Sequence, residues 1–131
     1  MPGPRWKIGW SAGHSCGNSM PSTMPGISCL YALKGIFTTQ DIELVKALRP
    51  DIVAISNHGG RVDNRTGSTI DFLAEHGAEL KKHCGEIWID GGIRKKRDIF
   101  VASYFGAKQV MIARPLISAL CKDGLDGVIM I

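Results

Sequence analysis

The feature that most constrains the fold is an alternation, from residue 30 onward, of short apolar runs with longer amphipathic stretches. Four apolar runs have the length of strands, and they occupy residues 30–36, 51–56, 86–89 and 109–112. The second run, DIVAIS, is apolar almost throughout, as is typical of a strand covered on both faces of a parallel sheet. The alternation therefore predicts four consecutive βα units and a parallel sheet with right-handed crossovers.

The stretches that follow the apolar runs contain residues that begin and end helices. Thr38 or Thr39 is a suitable N-cap for the first helix, and Pro50 ends it. Ile42 and Val45 have the spacing of residues that share a buried helical face with Leu48. Further helices are predicted within residues 70–83, over residues 98–104 and from Pro115 to Cys121.

The first 29 residues differ in composition from the remainder. They are rich in Pro, Gly, Ser and Met and show neither helical nor strand spacing over a useful length. We therefore expect an irregular segment over residues 1–29 and a folded unit over residues 30–131. With 131 residues, the chain is also shorter than the roughly 250 residues of a complete (β/α)8 barrel.

Charge and composition exclude several classes of partner. The net charge is +4, but the cations are dispersed, and the one dense run, at residues 94–97, follows a glycine pair that favours a small phosphate site over a nucleic-acid groove. No apolar run approaches the roughly 20 residues of a membrane-spanning helix. The four cysteines lack the CxxC spacing of a zinc site. We expect a soluble intracellular protein with no nucleic-acid, membrane or metal partner.

Residues with chemical function follow each predicted strand. They are Lys34, the SNHGGR segment at residues 56–61, the DGGIR segment at residues 90–94, and the ARP segment at residues 113–115. Each signal alone has an ordinary structural explanation, since short motifs often occur by chance. Because ligands of α/β folds bind beyond the carboxyl ends of the strands, their joint placement predicts one site on one rim.

Two parts of that rim suggest a phosphate site. Gly91 and Gly92 allow the backbone to approach a phosphate closely, and Arg94 and Arg114 supply positive charge for its oxygens. The sequence therefore predicts an anionic ligand that carries a phosphate.

The SNHGGR segment suggests acid–base chemistry on a carboxylate. His58 can take up a proton near neutral pH, and Gly59 and Gly60 leave space beside it. Arg61 offers a planar pair of donors that matches a carboxylate. A base beside such a clamp suggests a carboxylate substrate with an adjacent C–H or O–H group.

Taken together, KGI, SNHGGR, DGGIRK and ARP resemble, in order and spacing, the signature of the FMN-dependent 2-hydroxy-acid oxidases and dehydrogenases of the glycolate oxidase and lactate oxidase type. The resemblance extends from about Leu33 to Val128. It implies a partial TIM (β/α)8 barrel, in which residues 30–131 form about four C-terminal βα units. The chain departs from the family pattern at Val62, where the family has Gln, and at Ala113, where it has Gly.

The resemblance also implies a role for individual residues. His58 would be the proton acceptor, Arg61 would bind the substrate carboxylate, and Lys34 would lie beside the flavin N1 and C2 carbonyl. The remaining implied FMN contacts, to the ring, the ribityl chain and the phosphate, are Ser56, Asp90, Gly91, Gly92, Ile93, Arg94, Ala113 and Arg114.

The implied reaction is oxidation of an (S)-2-hydroxy acid of the glycolate or lactate class to the 2-oxo acid, with FMN as cofactor. We expect little turnover from this chain by itself, because the family's N-terminal half supplies further flavin and substrate contacts.

The alternative is a non-catalytic half-barrel that retains an FMN or phosphate site or acts as an interaction module. A non-redox phosphate-binding barrel is disfavoured by SNHGGR. Self-association into a homo-oligomer stays open. The expected location is soluble and intracellular, with the peroxisome as one option if the source is eukaryotic and the cytoplasm otherwise.

Overall fold

In the part of the chain that the structure describes, the fold is built on a five-stranded, wholly parallel sheet with strand order β1-β2-β3-β4-β5. The structure, a computed structural model, describes residues 7–10, 30–61 and 67–130. The strands are β1 (Lys7–Trp10), β2 (Tyr31–Ile36), β3 (Ile52–Ile55), β4 (Glu86–Ile89) and β5 (Gln109–Val110). The helices are α1 (Thr39–Leu48), α2 (Thr69–Leu80), α3 (Lys96–Tyr104) and α4 (Arg114–Ile129). The predicted series of four βα units in a parallel sheet is confirmed.

The first strand corrects one expectation. The sequence predicts an irregular segment over residues 1–29, but β1 pairs in parallel with β2, with Lys7 opposite Tyr31 and Trp10 opposite Lys34. Ile8 and Trp10 alternate with two other residues, a strand pattern too short to stand out among the surrounding Pro, Gly and Ser. Pairing satisfies backbone groups along an edge of β2 that would otherwise be open. The rest of that segment lies outside the described residues.

The core forms where helices α1 to α3 cover the sheet. All four residues of β3 are buried, which agrees with its continuous apolar sequence. Val53 and Ile55 belong to the main apolar cluster, and Ile52 and Ala54 on the opposite face are each 4% exposed. Other cluster members from the helices and the flanking strands are Leu33, Ile36, Ile42, Val45, Leu73, Leu80, Ile87, Ile89 and Ala102.

The ends of α1 follow from its sequence. Thr38 Oγ1 accepts a hydrogen bond from the Asp41 N–H, and Asp41 Oδ2 accepts one from the Thr38 N–H. This reciprocal pair satisfies donors that have no partner within the helix. At the other end, Arg49 has a φ of 44° and Pro50 follows, so the helix cannot continue. Of the two predicted N-caps, Thr38 is the one that caps the helix, and the predicted end before Pro50 is confirmed.

Helix α4 differs from the other three helices. It begins beside Pro115 as predicted, but it extends beyond Cys121 to Ile129 across non-helical backbone at Asp123 and Gly124. None of its residues is buried. Leu120, at 53% exposed, is one of several apolar side chains that it presents to solvent. Among the described helices, none has both the length and the apolar character to cross a membrane.

The burial of α2 gives a test of the packing. Leu73 is 1% exposed, whereas Leu44 on α1 is 40% exposed. We expect Leu73→Ala to lower the free energy of unfolding by about 2–5 kcal/mol, because it removes a buried side chain and leaves a cavity. Leu44→Ala is the control and should change the value by no more than about 0.5 kcal/mol. Urea unfolding followed by circular dichroism measures both, and equal losses in the two variants would contradict the described packing.

Candidate functional site

The charged centre of the site joins the carboxyl ends of three strands. Lys34 Nζ lies 2.5 Å from Asp90 Oδ2 and 2.9 Å from Ser56 Oγ. Lys34 belongs to β2, Ser56 directly follows β3, and Asp90 directly follows β4. Ser56 is 1% exposed, whereas the side chains of Lys34 and Asp90 are 37% and 22% exposed. The ammonium group is therefore held in place from one side and stays accessible to a ligand.

A bulge in β2 makes room for His58. The pairing of β2 with β3 shifts between Lys34 and Ile36, so Gly35 is the extra residue. Its φ is 97°, and a Cβ at this position would lie 2.8 Å from His58 Nε2. Glycine is thus required twice, for the backbone conformation and for the space that the imidazole occupies. The bulge brings His58 next to Lys34 and its partners.

His58 lies in a tight turn that fixes its direction. The Gly60 N–H donates to the Asn57 carbonyl over 2.8 Å, and His58 and Gly59 between them have φ values of 52° and 72°. Positive φ at both central positions is the pattern of a type I′ turn. The His58 N–H donates to Ser56 Oγ, and the Gly59 N–H donates to Asn57 Oδ1. Because a positive φ is uncommon for histidine, these bonds hold the residue in a conformation that it rarely adopts.

The loop after β4 packs against that turn. Gly91 and Gly92 have φ values of 88° and 77°. A Cβ on Gly91 would lie 2.8 Å from Asn57 Oδ1 and 3.2 Å from Thr69 Cγ2, whereas a Cβ on Gly92 would meet nothing within 4 Å. Thr69 Oγ1 donates to the Gly91 carbonyl over 2.9 Å. One glycine is therefore enclosed by protein, and the next is open to a ligand.

The start of α3 already holds a negative charge. The N–H groups of Arg94 and Lys95 both donate to Asp98 Oδ2 over 2.9 Å. These bonds favour the charged carboxylate and lower the pKa of Asp98 from its ordinary value of 3.8. The Arg94 and Lys95 amides are thus committed to Asp98. A cavity of about 190 Å³ lies beside them, lined by Ser68, Ile70, Gly91, Gly92, Ile93, Asp98 and Val101.

The remaining predicted site residues occupy the same rim with fewer contacts. Arg114 Nη2 lies 3.4 Å from the position that a Cβ on Gly59 would take, so this guanidinium reaches toward the His58 turn. Ala113 precedes α4 and is exposed, as is Arg61 at the end of the turn. Ile93 is 4% exposed and lines the cavity together with the glycine pair. Val62, one of the departures from the family pattern, lies outside the described residues.

The structure thus places Lys34, Ser56, His58 and Asp90 together, with Arg114 close to the His58 turn. Sequence reasoning missed several residues that position them: Gly35, Asn57, Thr69 and Asp98. Gly35 could have been found, because an isolated glycine within a strand pattern indicates a bulge. The roles of Asn57 and Thr69 depend on contacts between separate loops, which no local pattern shows.

Comparison with known proteins identifies a group with the same pattern. Residues 27–131 match the family model described as FMN-dependent dehydrogenase. The 2-hydroxyacid oxidase 2 of Rattus norvegicus is 38% identical over 96 residues, which are 73% of this chain and 27% of the relative. The peroxisomal (S)-2-hydroxyacid oxidase of Arabidopsis thaliana is 36% identical, over 73% of this chain and 26% of the relative. The chain therefore spans about a quarter of the length of these relatives.

The fold is similar to that of solved oxidases. A crystal structure of mandelate oxidase with benzoyl-formic acid superposes with a TM-score of 0.67 at 35% identity, over 76% of this chain and 30% of the oxidase. Together with the parallel sheet and its helices, this similarity confirms the predicted α/β class and the partial TIM barrel.

The bulge at Gly35 gives a test of the site geometry. Gly35→Ala should strain the backbone by about 1–2 kcal/mol and also displace the His58 imidazole. Gly106→Ala is the matched control, because Gly106 has a φ of 99° but nothing within 4 Å of its Cβ position, and it lies outside the His58 turn. Both variants should lose stability in urea unfolding. Only Gly35→Ala should shift the His58 ring signals in NMR spectra, and unmoved signals would contradict the contact.

The pKa of Asp98 gives a test with pH. Because this pKa is lower in the folded chain than in the unfolded chain, the charged carboxylate stabilises the fold at pH values above about 3.8. That contribution is lost as the pH falls through the lowered folded value. Asp98→Asn should therefore flatten the decline of unfolding free energy between about pH 5 and pH 2.5. Asp71→Asn changes the equivalent position of α2 and is the control. Equal slopes for wild type and Asp98→Asn would contradict this role.

Proposed function

Because the chain belongs to the FMN-dependent dehydrogenase family, we propose that it binds FMN and contributes His58 and Arg61 to the oxidation of a 2-hydroxy acid. The observation that carries the proposal is the cluster of Lys34, Ser56 and Asp90 beside the His58 turn, at the carboxyl ends of β2, β3 and β4. Such strand ends are where barrels of this kind bind ligands.

The described residues fit FMN in charge and in space. Lys34 offers a cation to the carbonyl side of a flavin ring, and Asp90 offers acceptors to the hydroxyls of the ribityl chain. Backbone beside Gly92 and Gly60 is open, since a Cβ at either position would meet nothing within 4 Å. The bulky and charged parts of the cofactor therefore have complementary groups on one rim.

The phosphate would lie against the loop after β4 and the start of α4. Gly91, Gly92 and Ile93 supply the backbone of this cradle, and Ala113 follows β5 on the neighbouring loop. Arg94 and Arg114 supply charge, as guanidinium groups bind phosphate oxygens in pairs of hydrogen bonds. The Asp98 carboxylate holds the amides at the start of α3, so the phosphate contacts fall on the glycine backbone and on these two side chains.

His58 and Arg61 would act on the substrate. Arg61 is exposed and can form two hydrogen bonds to the carboxylate of a hydroxy acid. His58 would take up one proton as the carbinol carbon is oxidised to a carbonyl. When bound, FMN supplies the acceptor for the two electrons and the second proton released in this oxidation. The name of the Arabidopsis relative supports an (S)-2-hydroxy acid, and we propose the glycolate or lactate class.

The same relative supports a peroxisomal location if the source is eukaryotic.

A second function is favoured by the open end of the sheet. β5 has two residues, and α4, which follows it along the chain, buries none of its side chains. A half-barrel with such an edge fits a non-catalytic module that retains an FMN or phosphate site, so binding and turnover need separate measurements.

Cofactor binding tests the proposal first. We expect the chain to quench FMN fluorescence with weak affinity, because the described pocket has only one wall. Lys34→Met should weaken binding roughly tenfold or more, about 1.4 kcal/mol. Lys108→Met, at an exposed lysine beside β5, is the control and should bind as wild type does. Absence of FMN binding by the wild-type chain would overturn the proposal.

Turnover tests the catalytic part. The chain should be assayed with (S)-lactate, glycolate and (R)-lactate, alone and after addition of the N-terminal half of a complete relative. We expect little activity alone and activity toward the first two substrates in the mixture. His58→Ala should keep FMN affinity and lower turnover by about 10² to 10⁴. Binding without turnover in the mixture would favour the non-catalytic module.

A further inference from the structure

Thr69 is a polar residue buried beside the site, and like Ser56 it is 1% exposed. Its hydroxyl donates to the Gly91 carbonyl over 2.9 Å, and its methyl group packs 3.2 Å from the Cβ position of the same glycine. Thr69 is the first residue of α2, and Gly91 lies in the loop after β4. The bond thus connects a helix to a loop 22 residues away.

That bond fixes a peptide plane. The carbonyl of Gly91 and the N–H of Gly92 belong to one planar trans peptide, so they point in opposite directions. With the carbonyl held by Thr69, the Gly92 N–H points away from α2. Within residues 30–61 and 67–130 it has no hydrogen-bond acceptor, and the space beside Gly92 is open. A donor in this arrangement can be offered to a ligand without rearrangement.

Asn57 connects the same peptide to the His58 turn. Asn57 Oδ1 accepts the Gly59 N–H over 3.0 Å and lies 2.8 Å from the Cβ position of Gly91. The Asn57 carbonyl accepts the Gly60 N–H across the turn. A shift of the Gly91 peptide would therefore displace the side-chain amide of Asn57, which stabilises the His58 turn.

We propose that Thr69 is a positioning residue, whose hydroxyl orients the Gly91–Gly92 peptide as an anion donor and, through Asn57, keeps this peptide in register with His58. The assignment of the anion as the FMN phosphate rests on the proposed function. The Arg94 and Lys95 amides already donate to Asp98. The donor that Thr69 orients in this loop is therefore the Gly92 N–H, through the bond of Thr69 to the Gly91 carbonyl.

The test uses substitutions that separate the hydroxyl from the methyl group. Thr69→Val keeps the shape and removes the donor, Thr69→Ser keeps the donor, and Thr69→Ala removes both. Thr39→Val is the matched control, because Thr39 is exposed and is the first residue of α1. Each variant of the 131-residue chain is measured by urea unfolding, by the backbone NMR signals of residues 57–60 and 91–92, and by FMN titration.

We expect Thr69→Val to move the carbonyl signal of Gly91, the amide signal of Gly92 and the signals of the His58 turn. FMN binding should weaken about 10-fold to 100-fold, as a displaced contact group commonly costs. Thr69→Ser keeps the hydroxyl, so its NMR signals should stay close to those of wild type. Its affinity for FMN should lie within about threefold of the wild-type value, a much smaller loss than that expected for Thr69→Val. Thr39→Val should leave both unchanged.

The proposal is overturned if Thr69→Val shifts these signals no more than Thr39→Val does, or if Thr69→Ser behaves like Thr69→Val. Should Thr69→Val fail to fold, Ser and Ala at this position still differ by the hydroxyl alone, and equal spectra for these two variants would overturn it. Should the wild-type chain bind no FMN, the proposed function fails, while the NMR comparison still decides whether Thr69 positions the loop.

Discussion

The ion pair between Lys34 and Asp90, with Ser56 as a third member, is the interaction on which the site depends. It joins residues that are 56 positions apart in sequence, and it can form only because β2, β3 and β4 are neighbours that run in the same direction. A partly buried ammonium group needs such acceptors, since a charge withdrawn from water without partners is costly. The parallel sheet therefore provides more than a scaffold, because its shared edge supplies the two partners that hold the Lys34 ammonium group in place.

Glycine conformation is the second physical constraint, and it explains why the loops approach each other so closely. Gly35 leaves the volume that His58 occupies, and Gly91 leaves the volume taken by Asn57 and Thr69. Gly60 and Gly92 have similar dihedral angles, but they face open space. Two glycines thus bring protein elements together, and two leave backbone beside open space.

The sequence predicted the fold well where a signal is local or periodic. The strand at Glu86–Ile89, the cap at Thr38 and the rim that carries Lys34, His58 and Asp90 all follow from apolar runs and from the residues at their ends. Strand β1 was missed because four residues are too few to show a period. The contacts of Thr69 with Gly91 and of Asn57 with the same loop were also beyond prediction, since they arise only after separate βα units pack together.

The order of the strands has a consequence for how the chain acquires and loses structure. Because order in the sheet equals order along the chain, each new βα unit adds to an existing edge, and no strand is inserted between two earlier ones. Assembly of this kind resembles the growth of a repeat array, in which neighbours stabilise each other in sequence. β3 is in the middle and is buried throughout, whereas β5 at one end has two residues. Opening should therefore begin at the ends of the sheet and reach the strands around Lys34 last, so that the charged centre lies in the most persistent part of the molecule.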